Sequence, residues 1–263
     1  MWMISIMNKI LYLTYDGLTD PLGQSQVLPY LIELSKNNEI HIISCEKKVR
    51  HHFLSNSKKI YFFSSASVYG EDVPYPGSIT ENTPVEPKTY YGIAKYSAER
   101  ILEIVCIDNQ IELIILRPPL VYGKDDLSQG YGPTGFTYKA VNSEEIILWG
   151  DGSEFREFVY VGDVGKIVSR LVNSNYNGIL NIVSGTSHTY KEILDDLKKS
   201  MGLNIKLKSC ARTKEKVDHH YSNDLIHDAL GNFEFTNLKD GLAQTHCAII
   251  NTLKGINEDR QRS

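Results

Sequence analysis

Three residue types in a set order carry candidate chemistry in this chain: a serine, a tyrosine and a lysine. Tyr61-Phe62-Phe63-Ser64-Ser65-Ala66-Ser67-Val68-Tyr69-Gly70 is followed by Tyr91-Gly92-Ile93-Ala94-Lys95. Tyr91 and Lys95 are four residues apart, which on a helix places both side chains on one face, one turn apart. An ammonium beside a phenol favours the phenolate. Free tyrosine titrates near ~10 and a general base works best near ~7, so the shift required is large. Ser65, at a strand end, is placed to hold a substrate oxygen while Tyr91 takes its proton. Taken singly, a tyrosine and lysine one turn apart are also ordinary surface neighbours, and Ser-Ser at a strand end is an ordinary turn.

The elements that must position these residues follow from periodicity. Ile10 to Tyr15 reads as a strand, Asp16 to Ser25 as a turn-rich loop, and Val27 to Lys36 as a helix with Pro29 in its first turn, where proline is tolerated. Ile40 to Cys45 closes a βαβ unit, the element of parallel sheets. Lys47 to Asn56 is a charged connector. Lys59 to Ser65 is a third strand, Tyr91 to Cys106 a helix with Ala94, Ala98, Ile101, Leu102 and Val105 on its buried side, and Ile111 to Leu116 a fourth strand. That last run is apolar except for Glu112, as a sheet covered on both faces requires. Beyond Gly123 the pattern changes. Strands are expected over Ile146–Trp149, Phe158–Val161, Ile179–Val183 and Ile205–Leu207, and helices over Tyr190–Met201 and Leu238–Leu253. The expected fold is α/β: a Rossmann-like parallel sheet, N-terminally incomplete or hybrid, with a smaller C-terminal substrate lobe.

Composition narrows the function classes. The 263 residues make one large domain or two small ones, and 41% hydrophobic content supports a real core. A net charge of -4 argues against a nucleic-acid partner. Cys45, Cys106, Cys210 and Cys247 are scattered without a C-x-x-C pair. The opening Met1 to Lys9 is too short and broken for a signal peptide, so reduced thiols and a cytoplasmic location are expected. No apolar run reaches membrane-spanning length, and no membrane association is expected. His219, His220 and His227 lie near Asp218 and Asp228 but fit no zinc spacing; solvated histidines and no metal are expected.

Two further stretches complete an ordered set: Leu116-Arg117-Pro118-Pro119-Leu120-Val121-Tyr122-Gly123 and Gly150-Asp151-Gly152-Ser153-Glu154-Phe155-Arg156-Glu157-Phe158-Val159-Tyr160-Val161. From about Lys58 to about Leu242 the chain resembles the extended short-chain dehydrogenase/reductase family, and within it the NAD-dependent nucleotide-sugar epimerases and dehydratases. The resemblance implies NAD as cofactor, a nucleotide sugar as substrate, and a homodimer paired through the Tyr-x-x-x-Lys helix. It casts Tyr91 as the base, Lys95 as the group that lowers its pKa and holds the nicotinamide ribose, and Ser65 as the catalytic hydroxyl. Ser64 and Ser67 become supporting cofactor and substrate contacts, Pro118 and Pro119 the backing of the nicotinamide, and Arg156 and Arg212 the grip on the diphosphate. Ala66 and Ser67 stand where dehydratases of the family carry Asp-Glu, which favours an epimerase. Leu120 replaces a common substrate-binding Asn, and Asp163 reads as structural, a helix cap.

The chain departs from that pattern at its start. Gly17-Leu18-Thr19-Asp20-Pro21-Leu22-Gly23 does not match the family's dinucleotide-binding glycine turn, and Glu46 is the nearest acidic residue to a ribose position. A literal G-x-G-x-x-G at Gly130 to Gly135 lies past the fourth strand with Pro133 inside it, and reads as a flexible loop near the substrate. Lys9 to Glu46 resembles the opening βαβ unit of the retaining GT-B glycosyltransferases, although the chain holds no Glu-x7-Glu pair of the kind those enzymes use on their donor. The expected division is a glycosyltransferase-like segment over 1–46, the core of the NAD-binding domain over 47–123, and a mainly substrate-binding lobe over 124–263. The function expected is nucleotide-sugar epimerisation through a keto intermediate, in surface-polysaccharide synthesis. The alternatives are a defective epimerase remnant that binds no dinucleotide, and a glycosyltransferase.

Overall fold

The computed structural model describes residues 8–14, 38–44, 58–123 and 130–262, with side chains over 58–123 and 130–254. The loop Asp16 to Ser25, the helix expected over Val27 to Lys36, Glu46 and the connector Lys47 to Asn56 lie outside the described residues. In chain order the elements are β1 (Asn8–Thr14), β2 (Asn38–Ser44), β3 (Lys59–Phe63), a 3-10 turn (Ala66–Tyr69), α1 (Tyr90–Asp108), β4 (Glu112–Arg117), β5 (Leu120–Tyr122), α2 (Pro133–Val141), β6 (Glu145–Trp149), β7 (Phe155–Tyr160), α3 (Val161–Val172), β8 (Gly178–Asn181), β9 (Ser187–Thr189), α4 (Tyr190–Lys199), β10 (Lys206–Cys210), α5 (Asp224–Leu230) and α6 (Leu238–Arg262).

Five strands form the main sheet in the order β2-β1-β3-β4-β8. Every pairing in it is parallel, and β1, between β2 and β3, carries residues 8–14 into the same sheet as the site. β8 comes from the C-terminal half of the chain yet lies beside β4, with Leu116 opposite Leu180. Smaller sheets of β5-β7-β9 and β6-β10 stand apart from it.

The apolar runs of β3 and β4 form strands because both their faces are covered. Ile60, Phe62, Leu113 and Ile115 pack with Cys106, Ala98 and Leu102 under α1. Tyr61, Phe63, Ile114 and Leu116 point the other way and pack with Val164, Ile167, Val168 and Leu171 of α3. This is the two-residue alternation of a strand read out as two separate cores. α1 begins where Thr89 caps it, its side chain accepting the Gly92 N–H at 3.1 Å.

Four sequence expectations are corrected. Ile101 does not face the core; it is 62% exposed, because the buried face of α1 runs through Gly92, Lys95, Glu99 and Cys106. Gly130 to Gly135 is not only a loop, since α2 starts at Pro133 behind an N-cap at Gly132. Proline at the first helical position lacks only an N–H that would have no partner there. Asp163 is not a cap. It sits inside the first turn of α3 and accepts from the Thr236 N–H at 2.6 Å and the Thr236 hydroxyl at 2.9 Å, tying the approach to α6. His219 is buried rather than solvated; its Nε2 donates to the Val73 carbonyl at 3.0 Å, and burial holds its pKa below the usual histidine value.

One buried ion pair fixes α1 against the sheet. Arg117 Nε donates to Glu99 Oε1 at 2.9 Å and Nη2 to Oε2 at 2.6 Å. Arg117 Nη1 donates to the Tyr69 hydroxyl at 3.0 Å, which in turn donates to Asn181 Oδ1 at 2.9 Å. Both charged side chains are almost fully buried. Removing one partner strands the other charge, so Glu99→Ala should lower the unfolding free energy by about 3–5 kcal/mol in urea titration. A loss under about 1 kcal/mol, the scale of an exposed pair, would show that the pair does not anchor the helix.

Candidate active site

The site begins where β3 ends. The Phe63 carbonyl accepts from Lys95 Nζ at 3.0 Å. Beyond it, the Ser64 N–H donates to the Leu116 carbonyl and the Ala66 N–H to the Pro118 carbonyl, both at 2.8 Å, so the exits of β3 and β4 run together. Ser65 caps the 3-10 turn, its Oγ accepting the Ser67 N–H at 3.1 Å. α1 docks its first turn onto this segment. A Cβ at Gly92 would stand 2.6 Å from the Ser67 carbonyl oxygen and 3.2 Å from Pro87 Cβ, so only glycine permits the approach. On the same helix Lys95 Nζ lies 5.4 Å from the Tyr91 ring centroid and 5.7 Å from that of Phe62. Lys95 is buried and Tyr91 is 41% exposed.

A cavity of about 720 Å³ opens at this edge, lined by Ser65, Ser67, Tyr91 and Pro119 together with Arg156 and Arg212. Residues from the two halves of the chain thus share one wall, at the carboxyl ends of parallel strands where open α/β sheets bind ligands. Ser64 and Pro118 do not line the cavity: Ser64 is buried with its Oγ unpartnered, and Pro118 contributes its carbonyl to the loop. Lys95 stands behind Tyr91, outside the wall.

Arg156 on β7 donates through Nη1 to the Phe155 carbonyl at 2.9 Å and to the Val217 carbonyl, and through Nη2 to Glu154. Arg212, in the segment after β10, donates through Nη1 to the other oxygen of Glu154 at 2.9 Å. Its stem crosses Gly150, which has φ +67 and where a Cβ would collide with Arg212 Nε. That glycine therefore has both a conformational and a steric reason. Glu154 is shared by both arginines, one carboxylate oxygen to each.

Glu157 was not singled out from the sequence, and it lines the same cavity. Its Oε1 accepts from the Ser184 N–H at 2.6 Å and the Ser184 hydroxyl at 2.5 Å. Burial pushes its carboxyl up to about 7. Among the described residues, three buried polar atoms on the wall have no hydrogen-bond partner: Ser67 Oγ, Glu157 Oε2 and Arg212 Nη2. Buried polar groups are ordinarily satisfied, so a cluster of orphans on one cavity marks a place where a polar ligand completes the bonding.

Comparisons with known proteins place the chain in a family and a fold. The family described as NAD dependent epimerase/dehydratase matches residues 40–183, and the chain belongs to that family. A protein of Methanocaldococcus jannaschii inferred to be a UDP-glucose 4-epimerase is 30% identical over 76% of this chain and 58% of its own length. GDP-L-fucose synthase 1 of Arabidopsis thaliana is 27% identical over 72% of this chain and 62% of its own. The chain thus spans about three fifths of the length of these curated relatives. Among solved structures, MoeE5 in complex with UDP-glucose and NAD superposes with a TM-score of 0.76 at 19% identity, covering 94% of this chain and all (100%) of that one. The UDP-glucose 4-epimerase of Thermus thermophilus in complex with NAD gives 0.72 at 16% identity, covering 92% and 99%. At such identities the likeness establishes the fold, the Rossmann-like α/β architecture expected from the sequence. The glycosyltransferase likeness of residues 9–46 gains no support, and the family match itself begins within β2.

Glu157 gives the site a pH signature. Its carboxyl titrates near 4.5 in the unfolded chain and about 7 in the folded one. Between those values the folded state holds a proton that the unfolded state has released, so stability falls as pH rises through the window and levels off above it. Glu157→Gln removes this penalty. Its stability relative to wild type should rise by on the order of 3 kcal/mol between pH ~4.5 and ~8, read from urea unfolding at each pH. A constant offset across that range would show that Glu157 is not the titrating group.

Proposed function

We propose that this chain is an NAD-dependent nucleotide-sugar epimerase that oxidises a sugar hydroxyl to a ketone and reduces it again from the other face. The observation that carries the reading is the meeting of Ser65 and Tyr91 with Arg156 and Arg212 on one cavity. Its volume falls within the roughly 300–1,000 Å³ usual for small-molecule sites.

The residues present fit a nicotinamide dinucleotide: Pro119 and Val121 give the wall an apolar surface beside Tyr91, and Ser67 Oγ is an unpartnered polar atom next to it. When bound, NAD supplies the reversible two-electron oxidation of the sugar carbon. Tyr91 accepts the hydroxyl proton. Lys95, fixed by the Phe63 carbonyl, favours the phenolate and would hold the cofactor ribose. Ser65 Oγ accepts from the Ser67 N–H, which leaves its own proton to donate to the sugar oxygen. Ser64 and Pro118 support the loops that hold these groups. Ser67 contacts the sugar, and Arg156 and Arg212 grip the diphosphate with fixed guanidinium forks. Tyr131 and Trp149 on the same wall offer flat surfaces to a nucleobase. Ala66 and Ser67 in the turn lack the acid that an elimination requires, which favours epimerisation over dehydration.

A nucleotide sugar is a glycosyl donor, so the product feeds glycosyl transfer, with surface-polysaccharide synthesis as the proposed setting. Cys106, Cys210 and Cys247 are free thiols, in keeping with the cytoplasm as the proposed compartment. Among the described residues no helix is long and apolar enough to cross a membrane. α1 exposes Ile93, Ile101, Ile104 and Ile107 along one side, and we assign this stripe to pairing with the same helix of a second copy. Ile104→Glu should convert dimer to monomer in sedimentation; an unchanged mass, or a monomeric wild type, would refute the pairing.

The catalytic assignment is tested with Tyr91→Phe. Interconversion of UDP-glucose and UDP-galactose, followed by chromatography, should fall by about 10²–10⁴-fold while the unfolding midpoint stays in place. An unchanged rate would remove Tyr91 from the mechanism.

A further inference from the structure

We propose that Glu154 sets the charge selectivity of the arginine pair, making it favour a diphosphate diester over a free nucleoside diphosphate. The inference rests on the diphosphate site proposed above. Glu154 places one carboxylate oxygen on Arg156 and the other on Arg212, and the three side chains are largely buried in the cavity wall. Two guanidinium charges and one carboxylate leave a single positive charge to meet the ligand. Arg156 is already committed to Glu154 and to two backbone carbonyls, whereas Arg212 Nη2 is buried without a hydrogen-bond partner among the described residues. A phosphate therefore enters at Arg212 while Glu154 stays between the arginines, within a few ångströms of the incoming charge.

That arrangement penalises ligands according to their charge. In a nucleotide sugar each phosphate is esterified or bridged and carries about one negative charge. A free nucleoside diphosphate ends in a phosphate with a second pKa near ~6, and carries close to one charge more at neutral pH. Repulsion from a nearby, partly desolvated carboxylate grows with each added charge. Of the other acids on the wall, Asp72 is paired with Lys214, Glu157 accepts from Ser184, and Glu71 and Glu215 are exposed, where water and salt screen their charge. A purely structural Glu154, acting only to hold the arginines in place, would give the opposite outcome on replacement, because loosening the pair weakens every anionic ligand alike.

Glu154→Gln keeps an acceptor for the arginines and removes the charge. Binding of UDP and of UDP-glucose, with the guanosine pair GDP and GDP-mannose alongside, is measured by calorimetry on wild type, Glu154→Gln and Glu154→Ala. Wild type should prefer the sugar ester. In Glu154→Gln the free diphosphate should tighten about tenfold and the ester clearly less, so that the preference shrinks by at least about fivefold. Glu154→Ala should change the preference in the same direction, whichever variant is the more stable. Equal weakening of both ligands, or an unchanged ratio, overturns the inference while leaving the diphosphate site intact. Failure of wild type to bind any of the four nucleotides overturns the site itself, and this inference with it.

Discussion

The site depends on how α1 is held against the sheet, and that rests on the buried pair between Glu99 and Arg117. Residues 91, 95 and 99 follow one another at four-residue intervals along one face of the helix. Glu99 is locked to Arg117 on β4, and Lys95 is hydrogen-bonded to the last carbonyl of β3. Tyr91, one turn further on, then has little freedom in where it meets the Ser65 turn. Through Tyr69 and Asn181 the same network reaches β8. Burying two charges is expensive, and an apolar pair would serve stability as well. What the ion pair adds is register: a bidentate contact tolerates no sliding of the helix along the strand.

The second requirement is that two distant parts of the chain share one wall. Arg156 stands on β7 and Arg212 beyond β10, and neither is near Tyr91 in sequence. They arrive there because β8 joins the main sheet while β7 and α3 cover its face, so that Val159 and Val161 pack with Tyr61 and Phe63. Gly92 and Gly150 play matching parts in this assembly. The first lets a helix approach a backbone carbonyl, and the second lets an arginine side chain cross the strand end.

Much of this was legible in the sequence because it is local. The Tyr91–Lys95 spacing, the covered strands at residues 59–63 and 112–117, and the ordered motifs are all short-range patterns. The misreadings came from competition between local and distant effects. Gly130 to Gly135, with Pro133 inside it, reads as a flexible loop, yet Pro133 occupies the one helical position that suits proline. Ile101 was assigned to the core because it is apolar, although the buried stripe of α1 belongs to a lysine and a glutamate whose partners lie on other strands. His219 read as solvated beside its charged neighbours, but contact with the Val73 carbonyl and burial decide its state. Glu157 and the shared role of Glu154 depend on loops brought in from residue 184 and residue 212, which no local pattern announces.

The family assignment and the cavity together make a dinucleotide-dependent site the central claim. The most direct measurement is calorimetric titration of NAD into the purified wild-type chain and into Lys95→Met. The account predicts stoichiometric binding by wild type and at least about tenfold weaker binding by the variant, since the ammonium proposed to hold the ribose is gone. A wild-type protein that takes up no NAD and releases none on denaturation would contradict it.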